Sequence, residues 1–391
     1  MRSLSHLLAG SLLGIFITSG QGATLTVDSK TVPGLTAKSS IVSHTIRLSG
    51  PIEEGDADKL RTILTRIRTA SPQRVDGGPL ATIELSSAGG DIYEGLKIGY
   101  LLREFSVAAV VRAKDLCLSA CALAFLGGTS SRSGFSFVPS RGIEIGGQLG
   151  FHNFYLNAGS NQIEAVRDAK QGMSTGFSIA RGGASALVRY AATLGIDTSF
   201  IARLLGRPVD QWEYVDTDQQ FATLQVCPIG LERPRDSAPV IAVNICNHST
   251  GWFSRASPSQ ARQFSPREAK RHLLEQVQQD IEAVAVKGPL VGQLKAVLSL
   301  RDDRLIDAVY NDLRSAGVAL PEMLGVFFEV SGYSSGGYNL QCQVSFSRDN
   351  PGRFDVVLQG PDGPLKPFQS PPASCPEIFL YDKDEMLNPR R

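Results

Sequence analysis

The chain has 391 residues and a formal net charge of +1, because 39 lysine and arginine residues nearly balance 38 aspartate and glutamate residues. With 42% hydrophobic residues, it is long enough for one large domain or, as we expect, two ordinary ones. The balanced charge argues against nucleic acid or an anionic membrane surface as a partner.

The first residues have the pattern of an export signal. A basic start at Met1–Arg2 precedes an apolar run from Leu7 to Ile17, and small or polar residues then follow up to Ala23. This order is typical of a secretory signal peptide that is cleaved after Ala23. The apolar run is too short to favour a membrane span, although an uncleaved anchor is the alternative. We therefore predict a signal peptide at residues 1–23 and a periplasmic or secreted protein.

Cysteine usage agrees with export. An even number of cysteines in an exported chain predicts disulfides. The six are Cys117, Cys121, Cys227, Cys246, Cys342 and Cys375. The sequence leaves their connectivity open, and nearest-neighbour pairing would join 117–121, 227–246 and 342–375. A metal site is the weaker interpretation, since no CxxC occurs and the five histidines are scattered. We expect neither a metal nor another cofactor.

Residues 24–235 are predicted to form an α/β domain, because short apolar strands alternate with segments of helical periodicity. Acidic residues near the start of the first helix fit its dipole. The predicted strands are Thr45–Leu48, Ala81–Leu85 and Val107–Val111, and the predicted helices are Ala57–Ile67, Ile92–Arg103 and Ala120–Leu126.

The character of the sequence changes after Arg233, where a proline-containing segment up to Pro239 indicates a linker. Helical stretches follow from Arg267 to Val286 and from about Leu290 to Leu313. A short meander of strands is predicted beyond Phe327. We predict a smaller α+β region over residues 240–391, and its motifs indicate no chemistry.

Ser119, in Cys117-Leu118-Ser119-Ala120-Cys121, lies between an apolar strand and a predicted helix. A serine there can present its hydroxyl as a nucleophile, and the Ala120 N–H at the helix start can stabilise an oxyanion. Gly90 ends the previous strand-to-helix turn, so its N–H is the second expected donor. The alternative is a simple helix cap. We also propose a Cys117–Cys121 disulfide across this turn, against the alternative of two buried thiols.

A base is expected among the histidines. His6 lies in the signal peptide, His44 opens the first strand, and His248 and His272 belong to the distal region. His152 follows a glycine-rich segment within the α/β domain. A neutral imidazole suits a serine hydroxyl, although a hydrogen-bonded core histidine is the alternative.

Four segments, in this order, resemble the ClpP/crotonase-fold serine peptidases, and together they cover roughly residues 40–225. The resemblance implies a ClpP/crotonase-like β-β-α superhelical core, with Ser119 as nucleophile, His152 as base, and Gly90 and Ala120 as oxyanion donors. It also implies peptide or protein substrates and assembly into a homo-oligomer. The first segment, Ile46–Ile52, is similar to the family's opening strand followed by G-x-I. Ser86–Gly90 is similar to the family motif N-S-P-G-G, and the Ser119 turn stands where the family has its nucleophile. Gly150–Asn153 is similar to the x-I-H-Q segment that carries the family's catalytic histidine.

The third catalytic residue departs from the family pattern. The position of the expected aspartate is Trp212, so Asp210 or Glu213 would have to serve, or the site is a Ser–His dyad. The related SppA-type signal peptide peptidases use lysine, which makes Lys170 the rival base. A non-catalytic peptide- or protein-binding module on the same fold is the alternative function. Crotonase-type CoA chemistry suits an exported protein poorly.

Overall fold

The structure, a computed structural model, describes residues 22–33, 40–70, 78–132, 136–153, 169–208, 210–279, 289–300, 303–361 and 363–389. Strands in this part of the chain are β1 (Thr24–Pro33), β2 (Ser40–Ser49), β3 (Ala81–Ser86), β4 (Val107–Val111), β5 (Leu116–Leu118), β6 (Thr129–Arg132), β7 (Ser136–Pro139), β8 (Arg141–Glu144), β9 (Gln148–His152), β10 (Trp212–Tyr214), β11 (Cys227–Ile229), β12 (Ala261–Phe264), β13 (Val326–Ser335), β14 (Tyr338–Phe346), β15 (Phe354–Gly360) and β16 (Gly363–Leu365). Helices are α1 (Asp56–Ala70), α2 (Ile92–Glu104), α3 (Ala120–Phe125), α4 (Ala169–Leu194), α5 (Thr198–Gly206), α6 (Asp218–Leu224), α7 (Ala238–Ser249), α8 (Pro266–Gln279), α9 (Pro289–Leu300) and α10 (Asp303–Ser315).

The largest sheet has the strand order β1-β2-β3-β4-β8-β11. Neighbours from β2 to β11 are parallel, and β1 pairs with β2 as an antiparallel edge. Ile46, Ile83 and Val107 have no exposed surface, as expected for parallel strands covered on both faces. The predicted α/β alternation is confirmed here, whereas the short strand β8 and the edge strand β1 were not predicted from the sequence.

A second, three-stranded sheet has the order β10-β9-β5. β5 and β9 are parallel, and β10 is antiparallel to β9. Two isolated parallel bridges connect the segments after the central strands. Ser87, after β3, pairs with Cys117 of β5, and Gly90, also after β3, pairs with Ile52, after β2. The carboxyl ends of the central parallel strands therefore lead directly into this small sheet.

The distal region contains a five-stranded antiparallel sheet in which β12 to β16 follow one another in chain order. The disulfide between Cys246 of α7 and Cys342 of β14 ties α7 to one face. Gln343, the next residue of β14, hydrogen-bonds Gln276 of α8, so α8 covers the opposite face. Within the predicted second helical stretch the structure describes the helices α9 and α10.

The disulfides differ from nearest-neighbour pairing. Cys117 pairs with Cys121 as predicted, but the other two bridges are Cys227–Cys375 and Cys246–Cys342. Pairing follows spatial proximity, because the end of the chain packs back against α6 and α7. One cluster of buried apolar residues runs through both parts of the chain. The division into residues 24–235 and 240–391 remains a prediction.

The N-terminal prediction falls mostly outside the described residues, which begin at Gly22. Ala23 is buried, and its N–H donates to the carboxylate of Asp56 at 2.9 Å. Cleavage after Ala23 would remove this contact from the folded protein. The described residues contain no helix long and apolar enough to span a bilayer. Three disulfides are typical of chains that fold in an oxidising compartment.

A buried ionisable pair lies where the two parts of the chain meet. The carboxylate of Asp218, the first residue of α6, is 2.8 Å from Nε2 of His248 in α7, and both side chains are buried. The Trp252 indole donates to Nδ1 of His248 at 3.2 Å, which places the proton of a neutral imidazole on Nε2. Burial raises the pKa of Asp218 to about 6.

This pKa predicts how stability depends on pH. Between about pH 4 and 6 the unfolded chain loses the Asp218 proton while the folded chain keeps it, so stability falls as pH rises. We expect Asp218→Asn to raise the free energy of unfolding at neutral pH by about 1–3 kcal/mol and to flatten this slope. Urea denaturation across that range measures both. A variant less stable at neutral pH with an unchanged slope would contradict the prediction.

Candidate active site

Ser119 occupies the turn in which β5 passes directly into α3. Its backbone has φ 56° and ψ −122°, a conformation that non-glycine residues adopt at a cost of about 1–3 kcal/mol. Ser119 N–H donates to the Gly150 carbonyl at 2.9 Å, and its own carbonyl accepts from Leu123 N–H at 3.1 Å. Although Ser119 stands at the N-cap position, its side chain makes no capping hydrogen bond.

The Ser119 hydroxyl instead meets His152. Ser119 Oγ and His152 Nε2 are 2.8 Å apart, which is hydrogen-bonding distance. The small sheet produces this contact, because β5 and β9 are parallel with Leu118 opposite Gly150. Ser119 follows β5, and His152 ends β9. The sequence-predicted pair is therefore brought together.

Neighbours on both sides fix the orientation of the His152 ring. The Asn153 side-chain amide donates to the carbonyls of Leu205 and Arg207 at 3.1 and 2.9 Å, which anchors the chain after β9 to the end of α5. Trp212, opposite His152 on β10, packs against the imidazole with ring centroids 4.3 Å apart. This packing restricts rotation of the ring away from Ser119.

The glycine turn after β3 lies against the Ser119 turn. A Cβ atom on Gly89 would stand 2.7 Å from the Ser119 Cβ and 3.3 Å from the Ala120 nitrogen, so no larger residue fits. Gly90 is as constrained, because its φ is +145° and a Cβ there would stand 2.1 Å from the Ile52 carbonyl oxygen. These glycines allow the two turns to touch.

The backbone pattern leaves the Gly90 N–H available on the cleft side. In the bridge to Ile52, Ile52 N–H donates to Gly89 C=O and Asp91 N–H donates to Ile52 C=O, each at 2.9 Å. Gly90 lies between the Gly89 C=O and the Asp91 N–H, which both point to Ile52, so its own N–H points to the side away from Ile52. Ala120 opens α3, where N–H groups have no intrahelical acceptor. Both expected oxyanion donors therefore flank Ser119.

Ser87 joins the two turns and was not identified from the sequence. Its N–H donates to Leu116 C=O at 2.7 Å, and its carbonyl accepts from Leu118 N–H at 3.0 Å. The buried Ser87 hydroxyl accepts from Gly89 N–H at 3.1 Å. The sequence shows Ser87 only as a polar residue at the end of an apolar strand. Its role could not be predicted from that, because its backbone partners, Leu116 and Leu118, come from a later segment of the chain.

The disulfide between Cys117 and Cys121 encloses the Ser119 turn. The two Cα atoms are 5.1 Å apart, within the usual range, and neither residue has exposed surface. One half-cystine lies in β5 and the other in α3. The bridge therefore ties the strand to the helix on either side of the positive-φ residue.

A cleft of about 1060 Å³ opens over Ser119 and His152. Its apolar lining residues include Leu123, Leu204 and Trp212. The lining also carries carboxylates, and the described lining residues include no lysine or arginine. The acidic residues lining the cleft are Glu53, Glu54, Asp91 and Asp210.

The candidates for a third catalytic residue lie on different sides of the small sheet. Glu213 is opposite Phe151 on the paired strands, whereas Trp212 is opposite His152, so Glu213 faces away from the imidazole. Its buried carboxylate contacts Arg207 at 3.1 Å. Asp210 is exposed in the turn before β10 and lines the cleft.

The rival base, Lys170, stands in the first turn of α4, and its side chain lies outside the described part of the chain. Three other histidines are engaged elsewhere. His44 bonds Ser29, His248 contacts Asp218, and His272 contacts Glu329. No cluster of three or more metal-ligating side chains occurs among the described residues.

Removal of the Cys117–Cys121 bridge should affect the reactivity of Ser119 more than it affects stability. A cross-link over so short a loop contributes only about 2 kcal/mol, but it restricts the strained turn. In Cys117→Ser/Cys121→Ser we expect the rate of fluorophosphonate labelling at Ser119 to fall about tenfold or more, with a modest fall in melting temperature.

The matched control is Cys246→Ser/Cys342→Ser, which opens a much longer loop of sequence separation 96. It should lower the melting temperature more, with a smaller effect on the labelling rate of the folded fraction. An unchanged labelling rate in the Cys117/Cys121 variant would show that the bridge does not hold the turn.

No protein-family model and no curated protein sequence matches this chain. The resemblance to the ClpP/crotonase-fold peptidases therefore depends on the four sequence segments, and the chemistry of the site depends on Ser119, His152 and the turns around them.

Proposed function

We propose that this chain is an exported serine hydrolase that cleaves peptide bonds by acyl transfer through Ser119. The observation that carries the proposal is the 2.8 Å contact between Ser119 Oγ and His152 Nε2 at a strained strand-to-helix turn. Serine presented on such a turn beside a histidine is the arrangement of an activated nucleophile. A serine that only capped α3 would have no need of this backbone conformation.

In the proposed reaction, His152 Nε2 accepts the Ser119 hydroxyl proton as Oγ attacks the substrate carbonyl. The carbonyl oxygen becomes an oxyanion, and the N–H groups of Gly90 and Ala120 stabilise it. Collapse of the tetrahedral intermediate breaks the C–N bond, and His152 gives its proton to the leaving amine. Water then hydrolyses the acyl-enzyme, with His152 again as base.

Several features support a peptide as the substrate. The cleft is large enough for several residues of an extended chain, and part of its lining is apolar. The resemblance implies a ClpP/crotonase-like β-β-α superhelical core, with peptide lying as an added strand beside the glycine turn. It also implies a homo-oligomer. The predicted signal peptide and the disulfides support a periplasmic or secreted location.

A non-catalytic peptide- or protein-binding module is the second candidate. Glu213, one of the two possible third residues, faces away from His152 and contacts Arg207. Asp210 is solvent-exposed, so its charge is screened more strongly than that of a buried catalytic acid. A Ser–His dyad would still be a nucleophile, and labelling chemistry separates the two candidates.

A fluorophosphonate probe on the purified protein tests the proposal. We expect stoichiometric labelling at Ser119 and complete loss of labelling in Ser119→Ala, because the probe reacts with activated serine hydroxyls. Mass spectrometry locates the adduct. A wild-type protein that is folded and unlabelled would favour the binding module.

The same assay identifies the base. His152→Ala should lower the labelling rate by about 100-fold or more, whereas Lys170→Ala should change it less than about twofold. The reverse pattern would assign the base role to Lys170 and overturn the role given to His152.

The acidic residues that line the cleft predict a preference for positively charged substrates. We expect peptides with lysine or arginine beside the scissile bond to be cleaved with kcat/KM about tenfold above matched glutamate peptides at low salt, with a smaller ratio at high salt. Glu53→Gln/Glu54→Gln should reduce the ratio, whereas Glu275→Gln, on the exposed side of α8, should not. Equal rates for both peptides would contradict the prediction.

A further inference from the structure

The distal region has a cavity of its own, remote in sequence from Ser119. It has a volume of about 620 Å³ and lies between the last turn of α8 and the five-stranded sheet. Its described lining residues include no charged side chain. They include the amides of Gln276, Gln279, Asn339, Gln341 and Gln359.

Two of the amides, Asn339 and Gln341, come from β14, which has an unusual composition. Side chains alternate between the two faces of a strand, and on β14 the apolar face, with Cys342, is directed towards α7. The other face consists entirely of polar residues: Asn339, Gln341, Gln343 and Ser345. A sheet face covered by helices ordinarily carries apolar residues. Core packing therefore does not account for this row.

The row runs from under the helices into the cavity. Gln343 has no exposed surface, and its side-chain nitrogen donates to the Gln276 side-chain oxygen at 2.7 Å. Its own side-chain oxygen makes no hydrogen bond to another described residue. Gln341, two residues earlier, is partly exposed and faces Gln359 across β14 and β15. The cavity adjoins the last described turn of α8.

Apolar side chains complete the cavity. Leu273, Val277 and Leu320 are buried there beside the amides. The five lining amides are partly or fully exposed, so a ligand in the cavity can reach them. Each amide offers two donor hydrogens and one acceptor oxygen. The surface therefore suits a partner with many neutral donors and acceptors and apolar C–H faces between them.

The strands that carry Gln341 and Gln359 have no open edge. β14 lies between β13 and β15, and β15 pairs with β16 through Gln359 and Pro364. An extended peptide needs an open strand edge to add to a sheet. The side-chain amides are therefore the groups that hydrogen-bond a ligand there, and they can bind hydroxyl groups that approach from several directions.

We infer that this cavity binds an uncharged saccharide, whose hydroxyl or acetamido groups hydrogen-bond the side-chain amides of Gln341 and Gln359. Ala319, Pro361 and Pro364, which line the cavity and are exposed, contact the C–H faces of the sugar rings. The site is independent of the proposed hydrolase activity and does not use Ser119.

Isothermal titration calorimetry tests the inference on the full chain carrying Ser119→Ala. The probes are chitotetraose, cellotetraose and maltotetraose, with the peptide acetyl-Gly-Ala-Gly-Ala-amide for comparison. We expect at least one tetrasaccharide to bind with a Kd of about 1 mM or tighter. Gln341→Ala/Gln359→Ala should weaken that binding by about tenfold or more, since it removes hydrogen bonds to the ligand.

Gln278→Ala is the matched control, because Gln278 is exposed on α8 and does not line the cavity. It should leave the affinity unchanged. Should the double variant lower the melting temperature, Gln341→Asn retains the amide but shortens its reach, and it should also weaken binding. Absence of binding by all three tetrasaccharides, or binding that survives loss of both glutamines, overturns the inference. Peptide binding lost in the double variant, without saccharide binding, reassigns the cavity to peptides.

Discussion

The positive φ of Ser119 is the constraint on which the candidate site depends. At this backbone angle the Ser119 side chain meets His152 and does not cap α3, but the conformation is unfavourable by itself. Three features maintain it: the hydrogen bond to Gly150, the disulfide from Cys117 to Cys121, and the close contact with Gly89. The surrounding structure therefore holds the Ser119 backbone in its strained conformation, in which the hydroxyl contacts His152.

The same constraint explains why glycine occupies its neighbours. Gly89 and Gly90 have positive φ values and lie against backbone or Ser119 atoms, and Gly95 of α2 brings that helix onto Ala120. A Cβ on Gly95 would stand 2.4 Å from the Ala120 carbonyl oxygen. Backbone segments from four stretches of the chain thus approach at distances that only glycine permits.

The distal region is joined to the rest of the protein by covalent and polar contacts. Cys227–Cys375 returns the end of the chain to β11, and the Asp218–His248 pair connects α6 with α7. The third disulfide, Cys246–Cys342, then ties α7 to one face of the distal sheet. The opposite face of the distal sheet, under α8, carries the row of amides that leads into the second cavity.

Local features of this protein could be read from the sequence. Periodicity located the main strands and helices between Thr45 and Leu126, because each period reflects a nearby buried face. The Cys117–Cys121 bridge was predictable, since four residues of chain already hold the cysteines close together. Residue chemistry and chain order were enough to name Ser119 and His152 as a candidate pair.

Tertiary structure decided what depends on distant segments. It set the Cys227–Cys375 and Cys246–Cys342 pairings, because spatial proximity and not sequence separation brings those sulfurs together. It turned Glu213 away from His152, because strand register determines which face each side chain occupies. It also placed Ser87 between two turns and the β14 amides at a cavity, since in both cases the partners come from elements far along the chain.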